Sequence, residues 1–491
     1  LSNAPESARE EAPLPKPWDG LPARDQVRLQ EALLREFVRR QVYPFSRFYR
    51  KVFEQAGLKP GDIRRLKDLE RIPLTSREQF RADGDPSRPF QALLRPDDHS
   101  FRSWAHRSLM WKTARERLLR GDEAAERVLA EEYKPVHLHL PLSGGPVVGY
   151  TIRDLVATAQ AGARMMAVMG ATRHESVLSA LPYGGDLGHW FTYYATQAAG
   201  MSGAHLGGGQ AVRPSQVALW MGRLQASVFV TQPGYAEGLL RAAPPATFQT
   251  VKTLVLWGAE GMQGARSRFT TLLQTTGVAN ARVTALLSFP EARVAWAECP
   301  SPAGQPELSF GYHTYPDLEI VEIVDPATGN QVGEAEPGEI VYTSLDWRGS
   351  ALLRFRTGLY ARQGMVRTRC PGCGRSVPRI GADISRMEWE TTTRDIHGDA
   401  TYDLADVMPI LWGEIDVPLW QLDVVRDAGS QGEDVVNALL AGGNANAQQN
   451  VTQALKPFRM RVRPVPFQDL RRRIGVGLER PETRVLIRSQ G

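Results

Sequence analysis

The feature that most constrains the fold is an alternation in the middle of the chain. Short runs rich in β-branched and apolar residues recur there: "HLHLPL" at 137–142, "SVFVTQPGY" at 227–235, "LVLWGAEG" at 254–261 and "VTALLSFPE" at 283–291. Each is bounded by Gly or Pro, and stretches of helical period such as 153–169 separate them. Parallel strands need long crossovers, and a helix is the usual one, so this pattern implies an α/β fold with a substantially parallel sheet. Residues 318–345 behave differently. "LEIVEIVDPATGNQVGEAEPGEIVYTSL" alternates tightly and reads as antiparallel strands joined by Asp-Pro and Gly turns. A helical pattern starts at Arg24 with Leu33, Leu34, Phe37 and Val38 on one face, and the charged residues 95–135 also read as helical. Thr75–Glu78, "TSRE", has the form of a capping box. After about residue 386 the chain reads as a separate small α/β unit containing a polar loop, "GGNANAQQN".

A length of 491 residues is enough for one large domain and a smaller one. We expect a loose arm over 1–20, a large domain over 21–385 and a small mobile domain over 386–491. "SNA" near the start resembles a cloning scar. No apolar run is long enough for a transmembrane helix, and no signal-peptide pattern is present. The net charge of +5 is spread along the chain apart from Arg471–Arg473, which reads as a solvated basic face and not as a nucleic-acid surface. Three cysteines cannot build a disulfide framework, so a reducing cytoplasm is expected.

Several short patterns carry chemistry. Cys370-Pro-Gly-Cys373 is a CxxC knuckle, whose glycine allows the tight turn that brings two sulfurs onto one ion, and Cys299 is the third cysteine of the chain. The three read either as metal ligands or as reduced core cysteines. "SGGPVVGYT" at 143–151 reads either as a tight turn between strand and helix or as a shortened phosphate loop whose remaining donors are backbone N–H groups and Ser143. His137 and His139 alternate on one strand and share a face, more in the manner of core or edge residues than of a metal pair.

In order along the chain these blocks resemble the adenylate-forming superfamily, and within it the phenylacetate-CoA ligase family. The similarity runs from about residue 21 to the end. It is carried by "LPARDQVRLQEALLREFVRRQVYPFSRFYRKVFEQAGLKPGDIRRLKDLERIPLTSREQF", "GPVVGYTIRDL", "GGDLGHWFTYYATQAAGMSGAHLGGGQ", "LWGAEGM", "GEIVYTSL" with "LLRFRTGLY", and "CPGCGRSVPRIGADISRMEW". The resemblance implies a large domain of helix-flanked sheets with a small antiparallel region, followed by a smaller C-terminal α/β domain. It implies ATP- and Mg²⁺-dependent activation of an aryl or acyl carboxylate and transfer to coenzyme A. It also implies a homodimer and a small-molecule partner, with neither nucleic acid nor membrane involved.

Carried over residue by residue, the resemblance gives Ser143, Gly144 and Gly145 to the phosphates, and Gly258, Ala259, Glu260 and Arg386 to the nucleotide. Glu291 falls at a magnesium ligand, His189 and Trp190 line the acyl pocket, and the 207–210 "GGGQ" is a turn near it. Cys299, His313, Cys370 and Cys373 fall on a zinc site. Four positions depart from the family pattern. The loop is about four residues short and has neither Thr-Thr nor Lys; Leu287 replaces a stacking aromatic; Leu359 replaces a ribose-binding Asp; and Pro481 stands for a catalytic lysine with Arg480 beside it. These changes predict a ligase with a degraded ATP site. The alternative is an inactive homologue serving as a binding or scaffold protein.

Overall fold

The computed structural model describes residues 18–490, apart from 142–143, 185–186, 210, 259, 302–304, 306–307, 391–392, 395–400, 428–433 and 479–481. A six-stranded sheet forms its centre. Its spatial order is Ser202–His205, Ser176–Ala180, Val228–Thr231, Thr253–Trp257, Arg282–Leu287 and Trp296–Ala297. The first five strands are parallel and the last is antiparallel. Side chains alternate between the faces, as the pleat requires. Val177, Val228, Val230 and Val255 belong to one apolar cluster, with Met165 and Phe191 of the helices Ile152–Val168 and Leu187–Ala198. Leu178, Phe229, Leu254 and Leu256 belong to the other, with Val217, Tyr235 and Phe269. Burial on both faces explains why these strands read as unbroken apolar runs.

A four-stranded antiparallel sheet follows, in the order Glu319–Val324, Gly338–Ser344, Phe355–Ala361 and Ile384–Arg386. A small three-stranded sheet of Met365–Val366, Arg379–Ile380 and Tyr312–His313 lies within the same stretch of chain. Near the C-terminus, Arg461–Pro464, Val435–Ala441, Leu419–Asp427 and Val485–Gln490 make a four-stranded sheet. This last unit packs onto the helices of the central sheet. One apolar cluster runs from Phe269 and Leu272 through Trp389, Met408 and Trp412 to Trp420 and Leu422. Arg268 pins it: the guanidinium pairs with buried Glu237 and donates to the carbonyls of Trp412, Glu414 and Val417 at 3.1, 2.7 and 2.7 Å.

Three local expectations change. The capping box over 75–78 is shifted by one residue, because the Ser76 N–H donates to Gln79 Oε1 at 2.8 Å. Thr75 is instead buried, with its hydroxyl donating to the Leu353 carbonyl. "GGNANAQQN" is mostly helix, since Asn444 caps Ala445–Leu455 by accepting from Ala447 N–H. The end of the arm is held down: Trp18 is buried against Tyr315, and Asp19 pairs with Arg375. Residues 1–17 of the expected arm lie outside the described residues. Among the described residues no helix is long and apolar enough to cross a membrane.

Candidate active site

The chemistry-bearing residues meet along a line between the central sheet and the antiparallel sheet. It starts at the shortened loop. Gly144 has φ +76°, a conformation that glycine adopts at little cost. Gly145 faces Glu291 so closely that a Cβ at this position would overlap the carboxylate. Glu291 is fully buried, and Arg77 holds it with two bonds, Nε to Oε1 at 2.6 Å and Nη2 to Oε2 at 2.8 Å. Burial alone would lower the Arg77 pKa, but the Glu291 charge raises it. A magnesium ion, which the resemblance implies through Glu291, would share this carboxylate with the Arg77 guanidinium, which already takes one lone pair of each oxygen. Sequence reasoning missed Arg77. It sits 214 residues from its partner, and only its place in "TSRE" drew attention to its neighbourhood.

The line continues through the third sheet strand. Arg77 Nη1 lies 3.2 Å from where a Cβ of Gly358 would stand, and Gly358 has φ +75°. The next residue, Leu359, is buried and pairs across strands with Arg386. Arg386 Nη2 in turn binds Glu260 Oε1 at 3.0 Å, and its guanidinium stacks over Trp389 at 5.9 Å. Gly258, with φ +98°, hydrogen-bonds the end of the Arg282–Leu287 strand through Leu286. Gly144, Gly145, Gly258, Glu260, Glu291 and Arg386 are thus linked by successive contacts. Leu287, where an aromatic was expected, is wholly buried in the core and offers no stacking face. Ser143, Ala259, Gln210, Arg480 and Pro481 lie outside the described residues.

Histidines and aromatic rings gather around the start of the Leu187–Ala198 helix. His189 is buried, with ring centroids 4.3 Å from Tyr183 and 5.2 Å from Trp190. His205, which the sequence reading did not single out, lies 6.2 Å from His189 and 5.3 Å from Tyr193. Burial holds His189 below the usual histidine range and, with the neighbouring His189, holds His205 at about 4, so both rings are neutral near pH 7. His137 meets Trp190 edge-on, while His139 is buried on the same strand and held at about 4 by burial and by His137. The two do not form a metal pair with any other donor among the described residues.

Cys299, His313, Cys370 and Cys373 meet in a separate place, with their ligand atoms all within 4.8 Å of one another. Cys299 Sγ and Cys370 Sγ are 3.7 Å apart, and Cys373 Sγ is 3.5 Å from His313 Nε2. A tetrahedron with bonds of about 2.3 Å to sulfur and about 2.05 Å to nitrogen has edges of about 3.8 Å and 3.5 Å. The sulfurs are too far apart for a disulfide, whose S–S bond is about 2.05 Å. Local backbone sets the spacing. Cys370 N–H donates to the Arg375 carbonyl and Gly374 N–H to the Cys370 carbonyl, which closes the knuckle. A Cβ on Gly372 would stand 2.5 Å from the Phe310 ring and 3.1 Å from Cys299 Sγ. Hydrogen bonds within the cluster raise the Cys299 thiol and lower those of Cys370 and Cys373, as expected of sulfurs held this close to one another.

No family model matches the chain. The phenylacetate-coenzyme A ligase of Thermus thermophilus is 28% identical over 411 residues, covering 82% of this chain and 79% of the relative. That of Pseudomonas putida is 24% identical over 347 residues, covering 69% and 66%. Among solved structures, 2-hydroxyisobutyryl-CoA ligase in the postadenylation state with R3-HIB-AMP has a TM-score of 0.73 at 18% identity, covering 96% of this chain and 91% of that one. The same ligase with 2-HIB-AMP and CoA in its thioesterification state scores 0.58. The fold is that of the adenylate-forming enzymes. The curated proteins that the chain resembles are phenylacetate-CoA ligases, and a divergent member of the adenylate-forming superfamily fits both comparisons.

Proposed function

We propose that this protein carries out phenylacetate-CoA-ligase-like chemistry with weakened nucleotide handling. An aryl or acyl carboxylate attacks the α-phosphorus of ATP, pyrophosphate leaves, and the acyl group passes from the adenylate to the sulfur of coenzyme A. One observation carries this reading: contacts run unbroken from Gly145 through Glu291, Arg77, Gly358, Leu359 and Arg386 to Glu260. That line joins the blocks that resemble the phosphate, ribose and adenine contacts of the family. In this reading Gly145 offers a backbone donor to the phosphates, Gly144 shapes the turn through its N–H bond to the Pro141 carbonyl, and Gly258, Ala259, Glu260 and Arg386 border the nucleoside. Arg480 supplies charge near the reacting carboxylate, and His189 and Trp190 line the acyl pocket. Glu291 positions Arg77 beside the loop.

The weakening follows from three losses. The short loop keeps the Ser143 hydroxyl but lacks the Thr-Thr pair and the lysine, Leu359 accepts nothing from ribose hydroxyls, and Pro481 replaces a cation. At only ~1.5 kcal/mol each the losses would total ~4.5 kcal/mol, roughly a thousandfold. The alternative, an inactive homologue acting as a binding protein, is favoured by the buried Leu359 alone. The Cys299–His313–Cys370–Cys373 cluster is proposed to hold a structural zinc that takes no part in the reaction. Residues 21–385 and 386–491 are proposed as the two domains, and a cytoplasmic homodimer as the working form. Calorimetric titration with ATP, with and without Mg²⁺, tests the nucleotide site, and pyrophosphate release over a carboxylate panel tests the reaction. Weak ATP binding with turnover well under ~1 per second supports the proposal. Ordinary turnover refutes the weakening, and no binding with no turnover favours the alternative.

A further inference from the structure

The helix Arg107–Arg120 takes no part in the proposed function, yet it carries the most exposed large apolar side chains among the described residues. Trp111, Leu118 and Leu119 are 74%, 86% and 67% exposed, and no other large apolar side chain there exceeds 62%. Trp111 and Leu118 are two helical turns apart, so they stand on one line about 10 Å long. Thr113 is buried on the opposite side of the helix and turns that line outward. Apolar surface left in water is unfavourable in proportion to its area, and a patch of this kind marks a contact surface.

The surrounding charge decides the partner. Arg107, Lys112, Arg115, Arg117 and Arg120 flank the line, all exposed, and Glu116 is the only acid of the helix. Five cations and one carboxylate give this helix a net of +4, against +5 for the whole chain. Glu116 pairs with Arg115 and Arg120, and Asp122 with Arg117, while among the described residues no ion pair holds Arg107 or Lys112. Arg107 and Arg115 lie four residues either side of Trp111, on its own side of the helix. Two copies of the chain meeting through this helix would set those cations against each other. The next helix, Asp122–Tyr133, is acidic at its surface through Glu123, Glu126 and Glu131, but it exposes no large apolar side chain that could cover Trp111 and Leu118 of a second copy. A convex line of Trp and Leu with cations on both flanks instead suits the plane of an anionic bilayer surface. The apolar tips enter the acyl boundary, and the long Arg and Lys stems reach back to the headgroups.

We propose that the helix Arg107–Arg120 docks the protein on an anionic lipid surface, with Trp111, Leu118 and Leu119 in the interface and the five cations at the headgroups. This departs from the expectation, carried by the resemblance, that no membrane is involved, and it is independent of the ligase chemistry. Contact through one helix with several cations is reversible and sensitive to salt, because the headgroup attraction fades within a Debye length.

Co-sedimentation of the full-length protein with vesicles of phosphatidylcholine alone, and of phosphatidylcholine with about one-third phosphatidylglycerol, tests this. Binding to the anionic vesicles should be about tenfold or more tighter than to the neutral ones, and should weaken as salt rises from about 0.1 to about 0.5 M. Trp111→Ser with Leu118→Ser, and separately Arg107→Glu with Lys112→Glu, should each lower it about tenfold, with circular dichroism confirming that the fold is kept. Equal binding to both kinds of vesicle, no binding to either, or anionic binding that survives in both variants overturns the inference. Light scattering over a concentration series reads the competing outcome: self-association that is abolished by Trp111→Ser with Leu118→Ser would assign this face to a second copy of the chain and overturn the lipid surface as its partner.

Discussion

Replacing Arg77 with alanine leaves the Glu291 carboxylate buried without its cation. Glu291 is 0% exposed and the Arg77 side chain 22% exposed, with two charge-assisted bonds of 2.6 and 2.8 Å between them. Breaking a buried pair by removing one member costs about 3–5 kcal/mol, and the partial exposure of Arg77 puts this case near the lower end, about 3 kcal/mol. Removing both charges is a different perturbation. In Arg77→Ala with Glu291→Leu, compared with each single variant, no charge is stranded, and the cost should fall to about 1 kcal/mol or less. The two positions are therefore expected to couple by about 2 kcal/mol in a double-mutant cycle. Urea unfolding followed by tryptophan fluorescence measures this, using the transition in which the central sheet melts. Equal m-values across the set are required for the comparison. A loss below about 1 kcal/mol in Arg77→Ala, or a double variant as unstable as the sum of its singles, would show that the pair is not the closed structural unit described above.

Protein purified without chelator is expected to contain about one zinc per chain, and Cys370→Ser should lose the metal and melt at lower temperature; elemental analysis finding no zinc in the unmodified protein would count against the site. Glu319 is buried with its pKa raised to about 7, by burial first and against the donors Trp296 and Tyr315. Because the folded state then holds a proton that the unfolded state releases from about pH 4.5, stability should fall as pH rises from about 4.5 to 7. Glu319→Gln keeps the acceptor oxygen and should flatten that slope, which urea midpoints at pH 5 and pH 8 would reveal; an unchanged slope would assign it to another group. Gly145→Ala should destabilise the protein and disturb the Arg77–Glu291 pair, since its new methyl group overlaps the carboxylate; an unchanged melting temperature would mean that the loop yields freely.

The sequence by itself determined what depends on near neighbours. Period-two and period-3.6 patterns are local, so they marked the parallel strands at 228–231, 253–257 and 282–287, the helix Ile152–Val168 and the antiparallel pair 319–344; they missed the strands at 176–180 and 202–205, and "HLHLPL" pairs antiparallel with Val148–Tyr150 outside that sheet. The CxxC spacing is likewise local, but it was the family resemblance that added Cys299 and His313, and the fold closes the four to within 4.8 Å. Even local reading slipped where two neighbours compete: Ser76 took the cap expected of Thr75, whose side chain a distant strand engages through Leu353. The pairings that decide the chemistry were out of reach. Arg77 on Glu291, Leu359 beside Arg386, and His205 facing His189 each join residues on separate elements. No periodicity encodes which two elements meet, or at what register. That is set by how the sheets and helices pack, and a polar side chain finds its partner only once the backbone around both has been placed.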